Sequence, residues 1–144
     1  MPQTDSIEKA VNKWRDAGIK LLPPADESAI LEAFRRIDRP LTRDILKLFR
    51  TTAGFDQYDS DSHLWSLWPL SRIVEEHETI KYERPYTLFA DFMINSYLYC
   101  FHFRDDNISS VCIDYFDGND PMSVAQSVEE FFELYLTNPD SIMI

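Results

Sequence analysis

Four side chains that can do chemistry lie in two neighbouring segments of the sequence, YLYCFHF at 97–103 and SSVCIDYF at 109–116. Both segments are rich in aromatic and β-branched residues, which predicts two strands joined by the polar turn RDDNI. Thiols, an imidazole and a carboxylate can act as a nucleophile with its base or as metal ligands. The four residues are Cys100, His102, Cys112 and Asp114.

A hairpin centred on Asp106 predicts which of these residues face one another. Because side chains alternate along a strand, Cys100 lies opposite Cys112, His102 opposite Ser110, and Asp114 on the same face. The other face of the hairpin is apolar. It carries Tyr97, Tyr99, Phe101, Phe103, Val111, Ile113 and Tyr115.

Three interpretations of the polar face compete. A zinc site has acceptable ligands, but a flat strand face rarely closes a tetrahedron around an ion, and the spacings are not those of known zinc knuckles. A Cys100 nucleophile with His102 as its base is disfavoured, because residues two apart on a strand are separated by ~6–7 Å. Free cysteine is among the most buried residue types. We favour the third interpretation, in which these residues are structural and the protein is not an enzyme.

The composition agrees with a non-enzymatic domain without a cofactor. The 144 residues include only three glycines, and the sequence contains no phosphate-binding loop, dinucleotide fingerprint or zinc-protease motif. The length suits one compact domain over residues 1–144. The N-terminus lacks the basic start and apolar middle of a signal peptide, and no apolar run is long enough to span a membrane. We therefore expect a cytoplasmic protein with free thiols.

The net charge of −11 is concentrated in the second part of the chain. Residues 1–50 contain 10 Lys/Arg and 8 Asp/Glu, a net charge of +2. Residues 51–144 contain the remaining 4 Lys/Arg and 17 Asp/Glu, a net charge of −13. An acidic surface repels nucleic acid and anionic membranes and attracts basic proteins. The charge thus disfavours nucleic-acid and membrane partners.

Helical periodicity dominates the first part of the chain. It predicts an N-terminal helix over about 6–17, capped by Asp5, and a second helix over about 26–37. A third helix begins after Thr42 and ends at Gly54. Four basic residues recur three or four apart around this third helix and predict a basic stripe, which we interpret as a solvated face. They are Arg39, Arg43, Lys47 and Arg50.

Strand patterns dominate the second part. LWSLWPL predicts a short strand ended by Pro69, a short helix follows over about 71–77, and three further strands end at a turn in FDGNDP. Ser123 with Gln126 has the spacing of a capping box and predicts the start of the last helix. The order of elements predicts an α+β fold, an antiparallel β-meander packed with N-terminal helices and a closing C-terminal helix. Large aromatic residues should form its core: Trp65, Trp68, Phe101, Phe131 and Phe132.

The ordered segments resemble the SUKH superfamily, which includes yeast cell-wall assembly regulators and bacterial toxin-immunity proteins. The resemblance covers about residues 25–138. It rests on a helix ending in glycine, a tryptophan-bearing strand that leads into a short helix, two paired core strands and a closing helix. These segments read LTRDILKLFRTTAGF, LWSLWPLSRIVEE, FADFMINSYLYCFHF with SSVCIDYFDG, and VAQSVEEFFELYL. The turn MINSY departs from the family, since it lacks glycine; Asn95 can take a left-handed conformation there.

The resemblance implies a non-enzymatic protein-binding domain, in bacteria an immunity protein that neutralises a cognate toxin of a polymorphic toxin system, often a nuclease or deaminase. A regulatory module of the same fold with a host protein partner is the alternative, and a metal or thiol enzyme built on the Cys100 face is a second one. The family supplies no catalytic or contact residues for this chain. The acidic composition suits a basic toxin domain as partner.

Three acidic turns are the candidate contacts with that partner, because binding residues concentrate in turns on a rigid scaffold. FDQYDSDSH, the hairpin tip and FDGNDP supply them. The candidates are Asp56, Tyr58, Asp59, Asp61, Asp105, Asp106, Asp117 and Asp120.

Overall fold

A computed structural model describes residues 5–56, 60–93 and 96–143 and confirms the α+β class. Its described part contains five α-helices, five strands and a short 3-10 turn. The helices are α1 Ser6–Asp16, α2 Glu27–Arg36, α3 Arg43–Thr51, α4 Leu70–Ile80 and α5 Val128–Thr137. The strands are β1 Trp65–Leu67, β2 Thr87–Phe92, β3 Tyr97–Phe103, β4 Ser109–Asp114 and β5 Met122–Ala125, and the 3-10 turn is Pro139–Ser141.

The five strands form one antiparallel sheet in sequence order, β1-β2-β3-β4-β5. The predicted β3–β4 register is confirmed, with Cys100 opposite Cys112 and His102 opposite Ser110. Each strand therefore reverses the direction of the one before it, and the turns alternate between the two ends of the sheet. This alternation decides which loops can act together.

The apolar face of the sheet is packed against α1 and α5. Trp65 is at the centre of this core, stacked on Trp14 at 5.8 Å between ring centroids and in contact with Phe131 and Phe132. The five aromatic residues expected in the core are all buried, with at most 2% of any side chain exposed. Aromatic pairs in such edge-to-face and stacked arrangements stabilise a core beyond the area that they bury.

The first helix follows its sequence signals. Its N-cap is Asp5, whose carboxylate accepts a hydrogen bond from the backbone N–H of Glu8 at 2.8 Å. Such a cap satisfies one of the N–H groups that a helix leaves unpaired in its first turn. The chain leaves the helix through Gly18, whose φ of 83° is readily adopted only by glycine.

The third helix begins as predicted, after its N-cap Thr42, but two features around it differ from the prediction. Arg39 lies outside α3 and is not part of the basic stripe, because its guanidinium donates hydrogen bonds to the carbonyl oxygens of Tyr82 and Tyr86 at 2.5 and 3.0 Å. At the other side, α3 ends at Thr51 rather than at Gly54. Gly54 has another role, since a Cβ there would lie 2.6 Å from the carbonyl oxygen of Trp68. The backbone at residue 54 can lie this close to Trp68 only because glycine has no side chain.

The predicted start of the last helix is wrong. Residues 122–125 form β5, which pairs with β4, and α5 begins at Val128 with Ser127 as its N-cap. The hydroxyl of Ser127 accepts a hydrogen bond from the N–H of Glu130 at 3.0 Å. The sequence SVAQSVEE contains two consecutive capping boxes, and pairing with β4 selects the second.

The helix predicted over about 71–77 is longer and spans Leu70–Ile80, with Lys81 in a left-handed conformation at its end. In the turn between β2 and β3, Asn95 lies outside the described residues, and Met93, which is described, has a positive φ. No helix in the described ranges is long and apolar enough to cross a bilayer.

Candidate binding surface

The polar face of the β3–β4 hairpin is buried. Cys100 and Asp114 have no exposed surface, and Cys112 is 3% exposed. Burial raises the pKa of the Cys100 thiol well above its usual value, and the neighbouring Cys112 raises it further. The thiol therefore stays protonated, and only the thiolate is an effective nucleophile or metal ligand.

His102 shares the face of the thiols, and its contacts are with other groups. Its ring stacks on Tyr86, with 4.5 Å between centroids, and Ser110 donates its hydroxyl to the His102 carbonyl rather than to the imidazole. Within the described residues, no group of three or more His, Cys, Asp or Glu side chains is placed to hold a metal ion. The geometry fits the structural interpretation of this face.

Asp114 is the one charged member of that face. Its carboxylate accepts hydrogen bonds from the Tyr82 hydroxyl at 2.6 Å and from the Phe116 N–H at 2.8 Å, and the Arg84 Nε lies 3.8 Å away. Burial and the bond to Asp114 raise the pKa of Tyr82. Together these contacts fasten the segment 81–86 across the sheet.

Asp61, a candidate contact, is a buried structural residue. One carboxylate oxygen accepts the N–H groups of His63 and Trp65 at 2.7 and 3.0 Å, and the other accepts the hydroxyl of Tyr135. Tyr135 in turn accepts a hydrogen bond from Trp14 Nε1 at 2.7 Å. This carboxylate thus joins the loop before β1 to α5 and α1.

Asp105 and Asp106 lie at the tip of the β3–β4 hairpin. The Asp105 carboxylate accepts the N–H groups of Asn107 and Ile108 within the turn, and the Asp106 carbonyl accepts the N–H of Arg43 at the start of α3. Asp44 completes the connection by accepting the N–H groups of Ser109 and Val128 at 3.0 and 3.2 Å. We call this region, residues 42–44, 104–109 and 127–128, the closed end of the sheet.

Asp117 and Asp120 lie at the opposite end, because β4 separates them from the hairpin tip. Asp117 accepts the Asn119 N–H, which is the main reason that its pKa is lowered. Asp120 is 95% exposed and 3.3 Å from Arg84. Asp56 is half-buried beside β1, and the candidates Tyr58 and Asp59 lie outside the described residues. The three acidic turns therefore do not form one surface.

A group of exposed apolar residues that the sequence analysis missed lies at the same end as Asp117. Leu64, Met93 and Phe116 are 46%, 47% and 55% exposed. All three have positive φ, and they are three of the five non-glycine residues with this conformation in the described chain. A left-handed backbone costs an L-residue about 1–2 kcal/mol, and such strain clusters at functional sites.

An aromatic row crosses the sheet beside these residues. Phe92 and Tyr97 stack with 6.2 Å between ring centroids, and Tyr97 meets Tyr115 edge-on at 5.0 Å. All three rings are half-buried. The row is on the helix-packed face, where Tyr97 lies two residues before the buried Tyr99, whose hydroxyl donates to the carbonyl of Ile142. The alternation of side chains along β3 could have indicated this row. It does not show which part of the sheet face the helices leave uncovered.

We call this region the open end of the sheet, residues 60–64, 92–93, 96–97, 115–121 and 138–143. These residues include no lysine or arginine, although Arg84 reaches Asp120 from outside the region, and they include four aspartates, of which Asp61 is buried. They are Asp61, Asp117, Asp120 and Asp140. A surface of aromatic and apolar side chains with acidic neighbours resembles the anchor-and-rim arrangement of protein interfaces.

Compared with known protein families and with curated proteins, the chain matches none. The candidate site is therefore defined by its geometry alone.

Proposed function

We propose that this protein is a non-enzymatic binding domain that neutralises a basic bacterial toxin domain by direct contact at the open end. The observation that carries the proposal is the composition of that end, where exposed apolar side chains and half-buried aromatic rings lie among aspartates. A basic surface complements this charge, and apolar anchors supply the slow dissociation that neutralisation requires.

Further observations support a binding role over catalysis. The thiols are buried and protonated, so the side chains that could act as nucleophiles face the interior. The resemblance to the SUKH superfamily favours toxin neutralisation among binding functions. The exposed residues at the open end also adopt costly backbone conformations, as expected of a surface shaped for a ligand rather than for stability alone.

We expect a gene for a basic toxin domain directly upstream of this one, and the test uses that domain, purified, as the partner. The two purified proteins are mixed in a stopped-flow instrument at low and high salt, and toxin activity is followed in parallel. We expect association to slow as salt rises, because rim charges act mainly on the association rate. The double variant Asp117→Asn with Asp120→Asn should associate about 5–20 times more slowly at low salt.

Asp106→Asn is the control for either single substitution, because it removes one negative charge at the closed end. Its association rate should stay within about twofold of the original protein. A toxin that is neither bound nor inhibited overturns the proposal. Binding that is unaffected by salt and by the double variant moves the contact away from the open end.

A further inference from the structure

The aromatic row and Asp117 place two features that attract cations side by side. Tyr115 ends the row, and Asp117 follows it by two residues in the same turn. Burial is the main reason that the pKa of Tyr115 is raised, and the neighbouring Tyr97 and Asp117 add to it. The faces of aromatic rings carry negative potential, so rings and carboxylate favour the same ligand charge.

The molecule contains an internal example of the ligand that suits such a pair. The Arg72 guanidinium lies over the Trp68 ring, 4.5 Å from its centroid, while the Asp91 carboxylate is 3.4 Å from Arg72 Nη1. Asp91 also accepts the Trp68 indole N–H at 2.7 Å. A guanidinium is planar, stacks on rings and donates several hydrogen bonds to a carboxylate, which an ammonium group does less well.

We propose that the row formed by Phe92, Tyr97 and Tyr115, together with Asp117, is a docking site for an arginine side chain of a basic protein partner. The proposal rests on the proposed function only in requiring that the partner be basic. It commits to arginine because the Asp117 carboxylate complements a positive charge and the exposed edge of the row favours a stacked, planar cation.

The neighbouring residues explain why one side chain, rather than a helix, is the occupant. The row is half-buried, so only part of each ring is available. Leu64 and Met93 stand exposed beside it, joined by a backbone hydrogen bond of 2.9 Å from the Met93 N–H to the Leu64 carbonyl. The aliphatic stem of arginine can lie against such apolar side chains while its head reaches the carboxylate.

The test does not need the toxin. An arginine–glycine repeat peptide is titrated into the purified protein, and its copy with citrulline, which is neutral and nearly isosteric, is the matched ligand. The arginine peptide should bind about tenfold more tightly and shift the ring resonances of Tyr97. Equal affinity of the two peptides, or no detectable binding of the arginine peptide, overturns the inference.

Two pairs of variants locate the site. Tyr97→Leu keeps the apolar bulk but removes the ring and should weaken the arginine peptide about fivefold, whereas Tyr97→Phe should stay within about twofold. Phe103→Leu is the control at the closed end, where Phe103 is 43% exposed, and should have no effect. Should Tyr97→Leu prove unstable, Asp117→Asn gives the same readout from an exposed residue and should lower affinity about threefold.

The two proposals fail in different ways. A toxin that binds normally to Tyr97→Leu overturns the arginine site and leaves the proposed function standing. An arginine peptide that binds at Tyr97, together with a toxin that does not bind, supports the site and overturns the toxin as its partner.

Discussion

The two ends of the sheet use the same residue types for opposite purposes. At the closed end, the carboxylates of Asp44 and Asp105 accept backbone N–H groups, and the turn is fastened to α3 and α5. At the open end, Asp120 is almost fully exposed. Leu64, Met93 and Phe116 are exposed there too, and each has a strained backbone with positive φ. An aspartate in a turn is therefore not informative until its hydrogen-bond partners are known.

The difference has a physical reason. An N–H group that folding removes from water must find an acceptor, and the N-termini of α3 and α5 concentrate such groups at the closed end. The turns at the open end lie beyond these helix termini, where α5 finishes and the 3-10 turn begins. Stability therefore determines the residues of the closed end, whereas at the open end it accounts for Asp61 and leaves the exposed side chains free to form a binding surface.

The strongest test of this contrast is Asp44→Ala. Removing the carboxylate leaves the N–H groups of Ser109 and Val128 without their acceptor, and we expect the free energy of unfolding to fall by about 3 kcal/mol. Urea denaturation followed by tryptophan fluorescence measures it. Asp44→Asn, which retains one acceptor oxygen, should lose less. A loss below about 1 kcal/mol would show that the closed end is not held by this carboxylate.

A smaller effect is expected from pH, through a residue that belongs to neither end. The buried His77 accepts the Leu88 N–H at Nε2 over 2.9 Å, and desolvation, with a contribution from Arg39, lowers its pKa to about 4. The unfolded chain binds this proton below about pH 6.5, whereas the folded chain resists it until about pH 4. The contribution of His77 to the free energy of unfolding should therefore be present at neutral pH. It should be lost as pH falls from 6.5 to 4, which lowers that free energy by about 2 kcal/mol.

His77→Gln isolates this contribution from the titration of carboxylates. The glutamine amide oxygen can still accept the Leu88 N–H, and it does not titrate in this range. The difference in unfolding free energy between the two proteins, measured at a series of pH values, should follow the His77 titration. Parallel pH profiles would contradict the assignment.

The smallest expected effect is a gain. Met93→Gly relieves a positive φ of 55° and should raise the free energy of unfolding by about 0.5–1 kcal/mol, while removing an apolar side chain from the proposed surface. Thermal and urea unfolding report the first effect, and toxin dissociation the second. Met122→Gly is the control: Met122 is equally exposed, in a strand with negative φ, so the same substitution should destabilise. A destabilised Met93→Gly would remove the argument that the open end is strained.

Much of the fold could be predicted because it depends on local patterns. The alternation of YLYCFHF and SSVCIDYF was sufficient for the register of β3 with β4, since a slip by one residue would have exposed the apolar face. The start of α5 could not be predicted, because Ser123–Gln126 and Ser127–Glu130 carry equivalent local signals. Pairing of residues 122–125 with β4, a contact between distant surfaces, chose between them.

Local patterns predicted one part of the candidate site, and only the packing of the chain decided the other part. The sequence by itself determined that acidic turns connect a meander of aromatic strands, since charge and periodicity are properties of neighbouring residues. Only the tertiary structure decided that Asp61 is buried against Tyr135, that Arg39 binds the carbonyls of 82–86, and that Asp106 and Asp117 lie at opposite ends. Each of these depends on which distant group removes a side chain from water. Burial and pairing, unlike periodicity, are set by the packing of the whole chain.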